Sequence, residues 1–143
     1  MDNDTVRLLR ECDAGIKMGM DSIDQVLEYV KDETLKKVLV ECKTEHENMQ
    51  EELKMHLAEA HDEGKDPNMM AKGMSWMKTN VKLVMNESDA TIADLITDGC
   101  NMGVKSLKRY LNQYKAADGK ARRITERLID SEERLAKNME AYL

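Results

Sequence analysis

The stretch Cys12-Asp13-Ala14-Gly15-Ile16-Lys17 recurs in the second half of the chain as Cys100-Asn101-Met102-Gly103-Val104-Lys105. Each copy lies in a long helical pattern, and each pattern is followed by a polar turn and a second helical pattern. A unit that occurs twice at this scale indicates a duplicated supersecondary structure. The sequence therefore predicts one helical hairpin written twice, which gives an all-α protein with four main helices.

Composition agrees with this fold class. The chain has 143 residues, of which 35% are charged and 3% aromatic, with twelve Met, one Pro and no Phe. Such a chain is long enough for one core and favours helices over strands. We expect a single domain over residues 1–143, with hairpin one over 4–61, a crossover over 62–88 and hairpin two over 89–143.

Helix limits follow from capping residues and from apolar spacings of three and four. We predict a first helix capped by Asp4, a second from Thr34 to His61, a third capped by Ser88, and a fourth after the turn at 117–119. On the second helix the inward positions are Leu35, Leu39, Cys42, His46, Met49, Leu53, His56 and Ala60. The third helix carries two stripes, and the first is Ile92, Leu95, Gly99, Met102, Ser106 and Tyr110. The second stripe is Ile96, Gly103, Leu107 and Tyr114.

Four glycines lie at spacings of four on the first and third helices, and each lowers helix propensity by up to ~1 kcal/mol. We expect them to allow close approach of neighbouring backbones at Gly15, Gly19, Gly99 and Gly103.

The crossover is too long to be a tight turn between antiparallel neighbours. A connection of over twenty residues can travel the length of a bundle, which predicts the order up-down-down-up. Its methionines and tryptophan form a patch that we expect either to pack in the core or to contact a helical protein partner. They are Met69, Met70, Met74, Trp76 and Met77.

A duplicated hairpin joined by a long crossover resembles the ferritin-like superfamily. The segments Lys17-Met18-Gly19-Met20-Asp21-Ser22-Ile23 and Gly99-Cys100-Asn101-Met102-Gly103-Val104-Lys105-Ser106-Leu107 are similar to segments of small, uncharacterised bacterial ferritin-like proteins. The resemblance implies a four-helix bundle with metal ligands on its axis, including a Glu-x-x-His pair on each of two helices.

Those ligand pairs are not found in this sequence. His46 follows Lys43 by three residues, His56 follows Leu53, and His61 follows Ala58, so no Glu-x-x-His exists. The family's di-iron ligands therefore cannot be assigned to positions of this chain.

Hairpin one nevertheless contains residues that could form part of a metal site. Cys42, Glu45 and His46 lie within one helical turn, and Asp13 lies at a comparable depth if the first two helices pack antiparallel. Thiolate, imidazole and carboxylate ligands suit a single zinc or iron ion. In the alternative interpretation these are core or rim groups with local hydrogen-bond partners, and no cofactor is bound.

The distribution of charge along the sequence bears on which partners the protein can bind. Residues 1–66 contain nine Lys or Arg against eighteen Asp or Glu, whereas residues 67–143 contain thirteen against ten. The two halves are complementary in charge, which favours association with each other or with a second copy. An acidic chain without interleaved aromatic residues is not typical of nucleic-acid binding.

No apolar run is long enough to span a membrane, the first residues are acidic, and the cysteines fit reduced thiols. We therefore expect a cytoplasmic protein. Nucleophile-elbow and phosphate-loop motifs are absent from the sequence, so we assign no catalytic residues. The sequence favours a non-enzymatic structural or protein-interaction module that forms a homodimer, with a metal-binding or redox-responsive bundle as the alternative.

Overall fold

The fold is known from a computed structural model that describes residues 3–62, 64–65 and 88–143. These residues form four α-helices: α1 over Asn3–Leu27, α2 over Glu33–Glu59, α3 over Asp89–Gln113 and α4 over Gly119–Met139. A short 3₁₀ helix over Glu140–Tyr142 follows α4. The predicted all-α class with four main helices is confirmed, and the described part contains no strand.

The predicted crossover lies outside the described residues, apart from residues 62, 64, 65 and 88. Also outside them is the predicted contact patch of Met69, Met70, Met74, Trp76 and Met77.

Three helices begin at a side-chain cap. The Ser88 hydroxyl accepts a hydrogen bond from the Thr91 amide at 3.1 Å, as predicted. Asp32 and Asp118 cap α2 and α4 in the same way. The predicted cap at Asp4 is wrong, because α1 already begins at Asn3. The Asp4 carboxylate instead accepts a hydrogen bond from the backbone of the α3–α4 turn.

Hydrogen bonds connect the two hairpins at both ends of the bundle. The start of α1 is bound to the α3–α4 turn, where Ala116 N donates to Asp4 Oδ2 at 3.0 Å and Asp118 N donates to Thr5 Oγ1 at 2.8 Å. The α1–α2 turn is bound to the start of α3, where the amides of Lys31 and Asp32 donate to the Asp89 carboxylate at 2.9 and 3.0 Å. Each hairpin therefore accepts hydrogen bonds from the other hairpin's turn.

Among the described residues, the core consists of two hydrophobic clusters, one towards each end of the bundle. Of the eight inward positions predicted for α2, the seven from Leu35 to His56 are buried, whereas Ala60 at the C-cap is half-buried. Of the two stripes predicted on α3, the first faces the core only in part. Ile92 is buried, but Gly99 is exposed and Met102 is 70% exposed.

The structure decides between the two stripes of α3. The helix carries two overlapping stripes of apolar or small residues, and packing against the other helices buries the one that continues through Ile96 and Leu107. That buried stripe contains Ile92, Ile96, Cys100 and Leu107. None of the described helices combines the length and the apolarity needed to span a membrane.

Candidate functional site

His46 is the central polar residue of the predicted partial site. It lies in the middle of α2 and is 2% exposed. Its Nδ1–H donates to the backbone carbonyl of Cys42 at 3.0 Å, one turn earlier. Burial lowers the pKa of His46 and keeps the ring neutral. Since Nδ1 carries the proton, Nε2 is the acceptor nitrogen, and it faces Gly19 of α1.

Cys42 lies beside this imidazole. Its Sγ atom is 3.7 Å from His46 Nδ1 and 3.8 Å from Ser131 Oγ on α4. Burial raises the pKa of Cys42 to about 11, so the sulfur is a thiol at neutral pH.

The Glu45 carboxylate is bound by side chains of α4. It forms an ion pair with Arg134 of α4 at 2.6 Å, at the surface of the bundle. Burial tends to raise the pKa of Glu45, but hydrogen bonds from Arg134 and Ser131 outweigh it and hold the pKa below its usual value. This residue connects α2 to α4.

Asp13 is 1% exposed and binds the backbone where hairpin one ends. Its Oδ2 accepts hydrogen bonds from Lys65 N at 3.0 Å and is paired with Lys17 Nζ at 2.8 Å. Gly64 has a positive φ of 93° and lies so close that a Cβ there would overlap the Asp13 carboxylate. Asp13 therefore fixes residues 64–65 onto α1.

Of the four predicted metal ligands, the structure brings together only Cys42 and His46. The α1 residue opposite His46 is Gly19, and Asp13 lies six residues earlier, about 9 Å along the helix axis. Within the described ranges, no group of three or more His, Cys, Asp or Glu side chains is placed to hold a metal ion.

The buried residue that the sequence analysis missed is Glu132 on α4. It is 8% exposed, and its Oε2 has no hydrogen-bond partner among the described residues. Burial raises its pKa to about 8, so the carboxyl is largely protonated at neutral pH. The carboxyl packs against the backbone of Gly103 on α3. Its spacing of four from Leu128, an apolar residue that is buried on α4, could have revealed this inward position.

The remaining thiols are also buried. Cys12 Sγ lies 3.2 Å from Thr125 Oγ1. Burial raises the pKa of Cys12 to about 12 and raises the pKa of Cys100 as well. All three cysteines are free. The buried thiols and Glu132 are therefore neutral at neutral pH, whereas Asp13 is paired with Lys17 and the Lys65 amide.

Comparisons with protein-family models, with curated proteins and with solved structures gave no match.

Proposed function

We propose that this protein is a non-enzymatic structural or protein-interaction module built on a ferritin-like bundle. The hydrogen bonds at the two ends of the bundle support the topology. The start of α1 lies beside the end of α3, and the end of α1 lies beside the start of α3, so these two helices are antiparallel. An antiparallel pair α1 and α3 supports a parallel arrangement of α2 and α3, and with it the proposed order up-down-down-up.

The observation that carries the proposal is the state of the buried ionisable groups. A catalytic nucleophile or base needs a reactive protonation state and access to substrate. The thiols of Cys12 and Cys42 have raised pKa values, and Asp13 is occupied by Lys17 and the chain at residue 65. Glu132 is an unusual acid, but it faces the backbone of α3.

Free, buried cysteines also support a reducing, cytoplasmic compartment for this module. The partner that we propose is helical: a second copy of this chain, or a helix that binds the crossover methionines.

Metal analysis of protein purified without a metal-affinity tag tests the proposal. We expect no stoichiometric metal, and no change in melting temperature when zinc or iron is added. Stoichiometric metal that is lost in His46→Leu but kept in Glu47→Gln would overturn it. Glu47 is the matched control because it is the exposed neighbour of His46 on the same helix.

One observation favours the second candidate, a single zinc or iron ion bound at Cys42 and His46. Histidines that bind metals usually donate their other ring N–H to a carbonyl or carboxylate. The Nδ1–H of His46 does so, to Cys42 O, and metal binding can displace the proton of a thiol. Asp13 and Glu45 could complete such a site only if Asp13 broke its ion pair with Lys17 and Glu45 broke its ion pair with Arg134. The same metal analysis decides between the two candidates.

A further inference from the structure

The outward face of α3 carries a second line of apolar and small residues, which we call the outer seam. Its members follow at spacings of four, three and four, the pattern by which two helices pack side by side. Gly99 is exposed and Met102 is 70% exposed, whereas the two end members are half-buried. The outer seam is Leu95, Gly99, Met102 and Ser106.

Gly99 is not explained by packing among the residues that the structure describes. A Cβ at this position would meet no described atom within 4 Å. A glycine inside a helix costs about 1 kcal/mol relative to alanine, and no close neighbour in residues 3–62, 64–65 or 88–143 compensates for that cost. Gly99 and Met102 together present a hollow next to a protruding flexible side chain.

The sign of the side-chain charges on α3 changes near Gly99 and Met102. The first half of the helix carries only acidic residues and the second half only basic ones. Two such helices side by side repel when parallel and attract when antiparallel, because the acidic half of each then lies along the basic half of the other. The acidic residues are Asp89, Asp94 and Asp98, and the basic residues are Lys105, Lys108 and Arg109.

We propose that two copies of this chain associate through their outer seams, with the two α3 helices antiparallel. This inference rests on the proposed interaction function and names the partner and the surface. In this arrangement Met102 of each copy covers Gly99 of the other, and Leu95 packs against Ser106. Asp98 of each copy lies beside Lys105 of the other.

The self-complementary pattern is the reason to choose a second copy rather than a foreign helix. Both pairs of seam positions, 95 with 106 and 99 with 102, are symmetric about a point between residues 100 and 101. A two-fold axis at that point repeats every contact, as an isologous dimer requires. A foreign helix would not need this symmetry.

The seam is short, so the dimer is a weak one. Four positions span about three helical turns, which is less than a standard protein interface buries. We expect a dissociation constant in the micromolar range, and sedimentation velocity from about 1 μM to about 1 mM covers the transition.

Two substitutions test the hollow and the protruding side chain. Gly99→Gln fills the hollow and Met102→Glu removes the apolar contact, so each should shift the protein to monomer without lowering its melting temperature. Met55→Glu is the matched control, because Met55 is 74% exposed on α2 and should leave the dimer intact.

A charge exchange tests the antiparallel direction. Asp98→Lys and Lys105→Asp should each weaken the homodimer by about tenfold or more, because like charges then face each other twice. An equimolar mixture of the two variants should restore the dimer as a heterodimer.

Three outcomes would overturn the inference: wild-type protein that is monomeric throughout, a dimer that survives both Gly99→Gln and Met102→Glu, or no recovery on mixing. None of them bears on the non-enzymatic proposal, which the metal analysis tests separately.

Discussion

The carboxyl group of Glu132 lies over the backbone of Gly103, where its Oε2 fills the space that a Cβ at position 103 would need. This contact joins α4 to α3 inside the bundle. A glycine at 103 and an acid at 132 are therefore a matched pair. The neutral acid fits this position better than the carboxylate, because no described group donates a hydrogen bond to Oε2.

The first prediction concerns pH. The pKa of Glu132 is about 8 in the folded protein against an ordinary 4.5, so between these values the folded chain binds a proton that the unfolded chain has lost. The contribution of Glu132 to the free energy of unfolding should fall as pH rises through this window, by about 1.4 kcal/mol per pH unit. It should level off above pH 8.

Glu132→Gln removes the titrating group while keeping its shape. Urea denaturation at pH values from 5 to 8 should show the variant gaining stability relative to wild type as pH rises, by several kcal/mol in all. Parallel stability curves for the two proteins would contradict the prediction.

The second prediction compares two glycines of α3. Gly99→Ala should stabilise the protein by up to ~1 kcal/mol, since the new Cβ meets no atom of the described residues within 4 Å. Gly103→Ala should destabilise it by about 1–2 kcal/mol, because the new Cβ overlaps the Glu132 carboxyl.

Thermal denaturation measures both effects, and a Glu132→Ala background supplies the control. Once the carboxyl is gone, Gly103→Ala should become neutral or stabilising. If it remains as destabilising as before, the close contact with Glu132 is not the cause.

The third prediction compares a buried and an exposed aspartate of α1. Asp13→Ala should cost about 2–4 kcal/mol, because it leaves Lys17 and the Lys65 amide without their buried acceptor. Asp24→Ala breaks only an exposed ion pair with Lys43 and should cost less than about 1 kcal/mol. Chemical denaturation of both variants checks the difference, and equal losses would count against the anchoring role of Asp13.

The fourth prediction concerns thiol reactivity. Burial raises the pKa values of all three cysteines, so the native protein should react with a thiol reagent only as fast as it unfolds. In denaturant all three thiols should react at once. A native cysteine that reacts rapidly at neutral pH would point to redox chemistry and weaken the non-enzymatic proposal.

The helices could be predicted because the apolar spacing on α2 is unambiguous. Its inward positions continue through Cys42, His46 and His56, and all three are buried. On α3 the spacing admitted two faces, and only packing against the other helices selects the one that contains Cys100. Local pattern therefore determined that α3 is a helix but not how it is rotated about its axis.

The candidate site was harder to predict for the same reason. Sequence spacing placed Cys42 next to His46 correctly, because both are on one helix. It could not show that Glu45 turns to Arg134, or that Asp13 holds Lys65, since those contacts depend on how separate elements meet. Glu132 was missed because charge suggests the surface, and its burial depends on a glycine of another helix.

The exchange of hydrogen bonds between turns makes the two hairpins mutually dependent. The Asp4 carboxylate of hairpin one accepts a hydrogen bond from the Ala116 amide of hairpin two. The Asp89 carboxylate of hairpin two accepts hydrogen bonds from the amides of Lys31 and Asp32. If the two hairpins were separated, these carboxylates and backbone amides at both ends of the bundle would have only water as a hydrogen-bond partner. Each hairpin consequently depends on the other to bind the backbone of its turn, and the molecule should melt in one cooperative transition.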